Sequence, residues 1–388
     1  MSAWVGEAEV VVVGAGILGA AAAFELANAG KDVLIIERGQ AGLEASGANA
    51  GTLAVQNKPL AAIPAVLRAV SLWSDLSQRL GQSIEYERRG GFRVAHSSED
   101  ELKLEKAVAE QRLAGVPLDI LRGAELRKAA PYLHANVRAA SFCALDGMAN
   151  PLAAFRAYLC AARRLGVRLV TETAVLGVEV RGDHDFVLNT HLGAVKARHV
   201  VSAAGAWTRD FVGHFGVDLP LGVEVLQASI TDSHTPLFPH IVTHVRGNLT
   251  LKQQRSGRIL VGGAWRGEGD PASGRKGLVL ESLSGNYKWA TDTVPGIKAA
   301  RVLRAWPGFE GRTPDKLLLA GPLPSPKGVY VLGCGGGGFT FSPLAGRLAA
   351  DFITRGEVEE LARPFSPARF QETRTPLPAD QRKALETA

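Results

Sequence analysis

The sequence predicts an α/β protein, a doubly wound parallel sheet with a second domain of α+β character inserted into it. Three observations predict this. A β-branched run, a glycine turn, an apolar helix and a second apolar run follow one another over 10–36. A second strand–glycine–helix unit occupies 329–354. Between them the texture changes at 84–147, a mixture of short strands and helices, and 219–316 is rich in strands and turns, whereas 148–218 returns to helix followed by strands. The expected division is therefore 1–83, 148–218 and 317–388 for one discontinuous domain, and 84–147 with 219–316 for the other.

The first unit carries the most specific signal. Gly14, Ala15, Gly16, Ile17, Leu18 and Gly19 fit G-x-G-x-x-G after the strand 10–13 and before the helix 20–29. Gly14 allows the tight turn, Gly16 lets backbone approach a pyrophosphate, and Gly19 lets helix pack on strand. The helix start offers unpaired N–H groups to phosphate. Glu37 ends the second strand, 33–36, about 20 residues on, where a carboxylate accepts from ribose hydroxyls. With strand, helix and acid all in place, a dinucleotide site is predicted. An acid at this position argues against a ligand bearing a 2′-phosphate.

Composition narrows the class. The chain has 388 residues, enough for two domains, with 46% hydrophobic and 21% charged residues. The net charge of +6 is spread along the chain without a block of like charges, so no nucleic-acid interface is expected. A mild positive field suits an anionic cofactor and substrate. Cys143, Cys160 and Cys334 lie far apart, which predicts neither disulfides nor a metal site and fits a reducing compartment. The apolar run 10–24 is too short to span a membrane, and Glu7 and Glu9 stand where a signal peptide has basic residues. A cytoplasmic protein is expected, with contact to the inner face of a membrane left open.

Taken in order, 38–58 is a loop whose small residues and hydrogen-bonding Ser46 and Asn49 suit a buried, ligand-facing segment. Residues 59–80 read as a helix, with Ile63, Val66, Leu67, Val70, Trp73 and Leu76 at helical spacing. A strand at 90–95, a charged helix from Ser98 to about Leu113, a short helix at 122–130 and a strand at 138–144 follow. Pro151 opens a helix to about Leu165. Strands are predicted at 167–172, 175–180, 186–190 and 195–201, the last running into Ala203, Ala204, Gly205, Ala206 and Trp207. Further strands are expected at 223–231, 240–245, 249–253, 259–264 and 302–306, with a helix at 281–290. Residues 306–315 read as a loop. The strand 329–332 leads through Gly335, Gly336, Gly337, Gly338, Phe339 and Thr340 to a helix at 343–354, a second ligand-facing helix start. The tail after Glu360 reads as surface-covering or frayed.

Together these segments resemble the D-amino-acid oxidase (DAO) superfamily of flavoproteins over nearly the whole chain. The resemblance rests on Gly14, Gly16, Gly19, Glu37 and Arg38, on the A-S-G-x-N-x-G loop from Ala45 to Gly51, and on A-A-G-A-W at Ala203 to Trp207. It continues through Trp306 to Asp315 with its T-P-D triplet, and Gly336 to Thr340 with Pro343 and Gly346. It implies a Rossmann-like FAD-binding domain of glutathione-reductase type with an inserted antiparallel-sheet substrate domain. It also implies that Gly14 to Gly19 hold the pyrophosphate and Glu37 the adenosine ribose. Ala45, Ser46, Gly47, Asn49, Gly51, Thr52 and Leu53 would line flavin, with Val175 near adenine. Ala204, Gly205 and Trp207 belong to the same cofactor set. Relatives with covalent flavin carry a cysteine shortly before T-P-D; here stand Gly308, Phe309, Glu310 and Gly311, so noncovalent FAD is expected. That stretch is similar to flavin subunits of opine, proline and hydroxyproline dehydrogenases, which implies a quinone acceptor or an electron-transfer subunit.

The implied activity is oxidation of the C–N bond of an amino acid or secondary amine (a D-amino acid, imino acid or opine-like compound). Hydride passes to flavin N5 and the imine hydrolyses. Two alternatives keep the fold: a 2-hydroxy acid or glycerol-phosphate dehydrogenase, and a non-catalytic flavin-binding subunit. No catalytic side chain is assigned, because the flavin carries the redox chemistry. Arg312, Lys252 and Arg266 are candidate cations for a substrate carboxylate, and Glu310 for an ammonium or a partner; surface solvation is the competing reading for each.

Overall fold

The first sheet is built on the β-branched runs. In the computed structural model, which describes residues 6–370, its strands run in the order Leu319–Pro322, Val329–Gly333, Gly193–Ser202, Gly6–Val13, Val33–Ile36 and Arg168–Val170. The four inner pairings from Val329–Gly333 to Arg168–Val170 are parallel. Val13 stands level with both Ile36 and Ser202, and Ser202 with Val331. The strand ends that face a ligand in open parallel sheets are thus aligned. Val10 to Val12 are fully buried, as continuous apolar runs in a sheet covered on both faces should be. Val175–Gly182 and Asp185–Thr190 extend this sheet as an antiparallel ribbon beside Gly193–Ser202.

Helices Ile17–Asn28, Pro151–Arg164 and Gly338–Arg355 pack into one core with Ile63–Trp73. The first and last helices approach closely at Gly346, where a Cβ would lie 2.7 Å from the Ala21 carbonyl oxygen. Gly30, just past the first helix, adopts φ 80°, the left-handed stop that glycine supplies.

The second sheet runs Val302–Arg312, Gly222–Ser233, Arg258–Gly262, Thr250–Gln253, Ile241–His244, Gly91–Ala95, Ala139–Cys143 and Leu118–Arg122. Every pairing is antiparallel except that of Ile241–His244 with Gly91–Ala95. The α/β class with an α+β partner follows from these two sheets. Among the described residues, no helix is long and apolar enough to cross a membrane.

Two local expectations change. The helix expected over 59–80 is broken into Leu60–Ala62, Ile63–Trp73 and Leu76–Leu80. Ser71 and Ser74 donate their hydroxyls to the carbonyls of Arg68 and Ser71, a bond that competes with the helical ladder. The loop expected over 306–315 is strand as far as Arg312, paired along Gly222–Ser233. Pro307 is tolerated because this strand is the sheet edge. The tail is docked through Phe370: Phe365 is fully buried and Arg369 pairs with Asp315. The remainder of the predicted tail, 371–388, lies outside the described residues.

Candidate active site

Two cavities of about 290 and 350 Å³ run end to end along the aligned strand ends. Their common walls include Gly16, Ser46, Ala203, Gly205 and Phe309, so they form one trough. Gly14, Glu37, Arg38, Val175, Ala204 and Trp207 line the smaller part. Ile17, Leu18, Asn49, Thr52, Gly337, Gly338, Phe339 and Thr340 line the larger part, with Glu310 and Arg312. Ala45 belongs to both.

The glycine turn has the shape its sequence requires. Gly14 adopts φ 106°, and a Cβ there would lie 2.3 Å from the Ala203 carbonyl oxygen. A Cβ on Gly19 would lie 2.0 Å from the Gly14 oxygen. Gly16 faces the trough, with only Ser46 Oγ near its missing Cβ, at 3.1 Å. Ile17 N–H donates to that Oγ at 2.8 Å. Glu37 accepts from the N–H groups of Ala15 at 2.7 Å and Gly39 at 2.9 Å, so its carboxylate ties the turn to the second strand. Ala15 therefore sits behind the wall.

Both helix starts at the trough have a glycine at the N-cap, Gly16 and Gly337, and no acid in the first turn; Ser46 Oγ accepts from Ile17 N–H and Cys334 Sγ from Gly338 N–H. The last helix begins one turn earlier than expected, at Gly338, after Gly337 in the left-handed region. Their N-terminal dipoles converge on one space, a ready arrangement for anionic groups.

The loop 38–58 contains the short helix Ala45–Ala48 and the strand Thr52–Leu53. Gly47, Gly51 and Leu53 shape this loop and do not line the trough: Gly51 has φ 72° with its missing Cβ 2.2 Å from the Ala149 oxygen, and Leu53 is core. Gly335 likewise packs against the Leu317 carbonyl. Trp306 Nε1 donates to the Ala48 carbonyl at 3.0 Å and pins the loop to the second sheet.

Glu310 and Arg312 lie on the same face of the edge strand. Arg312 donates from Nε to Glu224 at 3.2 Å and from Nη2 to Glu310 at 3.4 Å. Burial opposes its charge, but Glu310, Cys334 and Glu224 outweigh burial and hold the guanidinium above its ordinary pKa. Arg266 is outside the trough, exposed and paired with Glu224. Lys252 is buried beneath Thr52, to whose hydroxyl it donates, and burial lowers its pKa to about 7. A cation of that kind is a poor permanent anchor for a carboxylate.

Several functional neighbours carried no local signal. Lys58 lines the larger cavity, and burial lowers its pKa although Cys334 and Glu310 oppose the shift. Arg38, already named with Glu37 in the sequence, stacks on Trp207, 3.3 Å from the ring centroid, in the wall of the smaller cavity. Asp146 accepts from Val55 N–H at 2.7 Å and Gln56 Nε2 at 2.8 Å, which fixes the chain leading to Lys58. Burial raises the Asp146 pKa to about 6. Cys334 also faces the larger cavity, its thiol pushed up to about 11 by burial and by Glu310.

The family profile described as DAO, FAD dependent oxidoreductase, matches residues 9–352. Glycine oxidase of Geobacillus kaustophilus is 30% identical over 373 residues, which is 93% of this chain and 97% of that one. An opine oxidase subunit of Rhizobium meliloti is 26% identical, over 94% of this chain and 98% of the relative. The crystal structure of L-proline dehydrogenase from P. horikoshii superposes with a TM-score of 0.85 at 25% identity, covering 95% of this chain and 99% of that one. The profile match spans the glycine turn, the second glycine-led helix and the residues of the trough between them, and the chain belongs to the DAO family of FAD-dependent oxidoreductases.

Proposed function

We propose that this chain oxidises the C–N bond of an amino acid or secondary amine, with noncovalent FAD in the trough. The observation that carries the reading is the Glu310–Arg312 pair in the wall of the larger cavity. An amino acid presents a carboxylate and an amine on one carbon, and the wall presents their two complements side by side. A hydroxy acid would use the guanidinium but bring no cationic group of its own to Glu310.

The trough fits FAD by the chemistry of its walls. Gly16 leaves room for backbone approach, the positive ends of two helices without acids in their first turns face the diphosphate, and Glu37 stands at the ribose end. When bound, FAD supplies the two-electron acceptor. The protein's residues hold the substrate: Arg312 orients the carboxylate, Glu310 stands beside the amine, and Phe309 and Phe339 contribute apolar wall that excludes water. Gly308, Phe309, Glu310 and Gly311 stand before the T-P-D triplet with no cysteine among them, which supports a noncovalent cofactor.

The pieces 1–83, 148–218 and 317–388 serve the cofactor in this reading, and 84–147 with 219–316 the substrate. A dye or quinone is the favoured acceptor, and a further subunit is the natural source of one; the opine oxidase relative, itself named as a subunit, supports this. Anaerobic reduction by amino acids, N-alkyl amino acids and cyclic imino acids tests the substrate class. Matching rates with oxygen and with dye would refute the acceptor.

A further inference from the structure

A third cavity, of about 360 Å³, adjoins the trough, and the reaction above requires none of its wall beyond Arg312 itself. Asn57, Lys58, Arg312 and Gly337 stand in the walls of both, so the two spaces adjoin across these residues. Its wall gathers four cations, Lys58, Arg93, Arg312 and Lys316, against one acid, Glu110. Arg312 is compensated by Glu224 and Glu310. Among the described residues, Lys58, Arg93 and Lys316 form no ion pair. Arg93 donates to the carbonyls of Gln56 at 3.2 Å and Val245 at 3.0 Å, while its Nε is buried without a partner. The chain enters the last helix at Gly336 and Gly337 in the same wall, which adds the positive end of an 18-residue helix.

Cations drawn together without ion-pair partners repel one another, burial of Lys58 and Arg93 adds to the cost, and an anion removes it. Guanidinium and ammonium groups around one space are also the donors that carboxylate and phosphate oxygens take. We propose that this cavity is an anion subsite, filled by a carboxylate or phosphate group held next to the substrate space. The group has two sources with the same chemistry: the far end of an extended substrate, or a separate small anion. The first source rests on the proposed function; the second does not.

The test uses the FAD-loaded protein, with inorganic phosphate and pyrophosphate titrated calorimetrically at low ionic strength. Arg93→Gln and Lys316→Gln should each weaken binding by about 5-fold or more. Glu110→Gln should tighten it by about 2-fold, an opposite sign that a folding defect would not produce. Lys316 and Glu110 are exposed, so their variants keep the fold. In parallel, kcat/KM is compared for an amine substrate bearing a second carboxylate and an uncharged analogue of equal length. A preference that shrinks about 10-fold in Lys316→Gln through KM alone identifies the substrate as the source. Phosphate binding without that preference identifies a separate anion. Absence of both, or responses indifferent to all three substitutions, overturns the subsite. If no amine is oxidised, the titration still decides the subsite, and only the proposed function fails.

Discussion

Arg312→Ala removes the guanidinium from the wall of the larger cavity. Its bonds to Glu224 and Glu310, at 3.2 and 3.4 Å, are long for charge-assisted contacts, which favour about 2.7–2.9 Å. The fork is therefore held in place without being saturated, and a substrate carboxylate at shorter distance can take it. A hydrogen bond to a charged group contributes about 1.5–3 kcal/mol, and release of the existing contacts offsets part of two such bonds. The net loss expected in kcat/KM is roughly 10- to 1000-fold, about 1.4–4 kcal/mol. Glu224 keeps Arg266 at 3.0 Å, so Glu310 is the carboxylate left exposed by the change. Glu310→Gln in the Arg312→Ala background should accordingly recover thermal stability without recovering substrate affinity. Arg312→Lys keeps the charge but not the fork and should recover activity only in part. The assay is anaerobic flavin reduction with the best amino acid, alongside the oxidised flavin spectrum, which should not change. Near-native kcat/KM in Arg312→Ala would refute the reasoning and send the search to the surroundings of Lys252 and Arg266.

Glu37→Gln presents an amide N–H to one of two backbone N–H groups that the carboxylate now accepts, and should weaken FAD binding by about 1–3 kcal/mol, or roughly 5- to 150-fold in Kd; an unchanged Kd sinks the ribose-end assignment. His244 is buried against the His96 ring, Trp289, Asp100 and Arg246, and burial first, then His96, lowers its pKa to about 4. Its contribution is complete above the ordinary value near 6.5 and is lost as pH falls through 4. Asp146, raised to about 6, works in the opposite direction, its contribution being lost as pH rises through 6. The His244 effect is thus read as a difference: His244→Gln should lose less Tm than wild type between pH 6.5 and 4, and equal losses would contradict it. Lys252, lowered to about 7 by burial, loses its contribution as pH falls through 7. Lys252→Met should gain Tm relative to wild type as pH drops from 8 to 6, and a constant offset would count against a titrating amine.

The glycine turn was legible because its requirements are local. A Cβ at Gly14 or Gly19 would lie within 2.3 Å of backbone oxygen, so only glycine fits there. The two parallel strand–helix units were legible for a related reason, since apolar runs and helical spacing report burial directly. Pairing partners were not. Residues 306–312 contain Pro307 and two glycines and read as a loop, yet the edge position of the strand accommodates them. Arg312 could be named as a cation, but its carboxylate Glu224 comes from a strand 88 residues away. Lys58 and the Asp146–Gln56 link depend on contacts across 90 residues, with no period or motif to announce them. Gly47 and Gly51 matched the loop motif for a reason of shape, and the trough is lined by their neighbours.

Anaerobic titration of the purified, FAD-loaded protein decides whether the trough oxidises amines. Amino acids, N-alkyl amino acids and cyclic imino acids are added separately, with 2-hydroxy acids and glycerol phosphate as controls. The account predicts that at least one amine bleaches the oxidised flavin band stoichiometrically while the hydroxy compounds leave it intact. Bleaching by a hydroxy acid, or by none of the compounds, would contradict it.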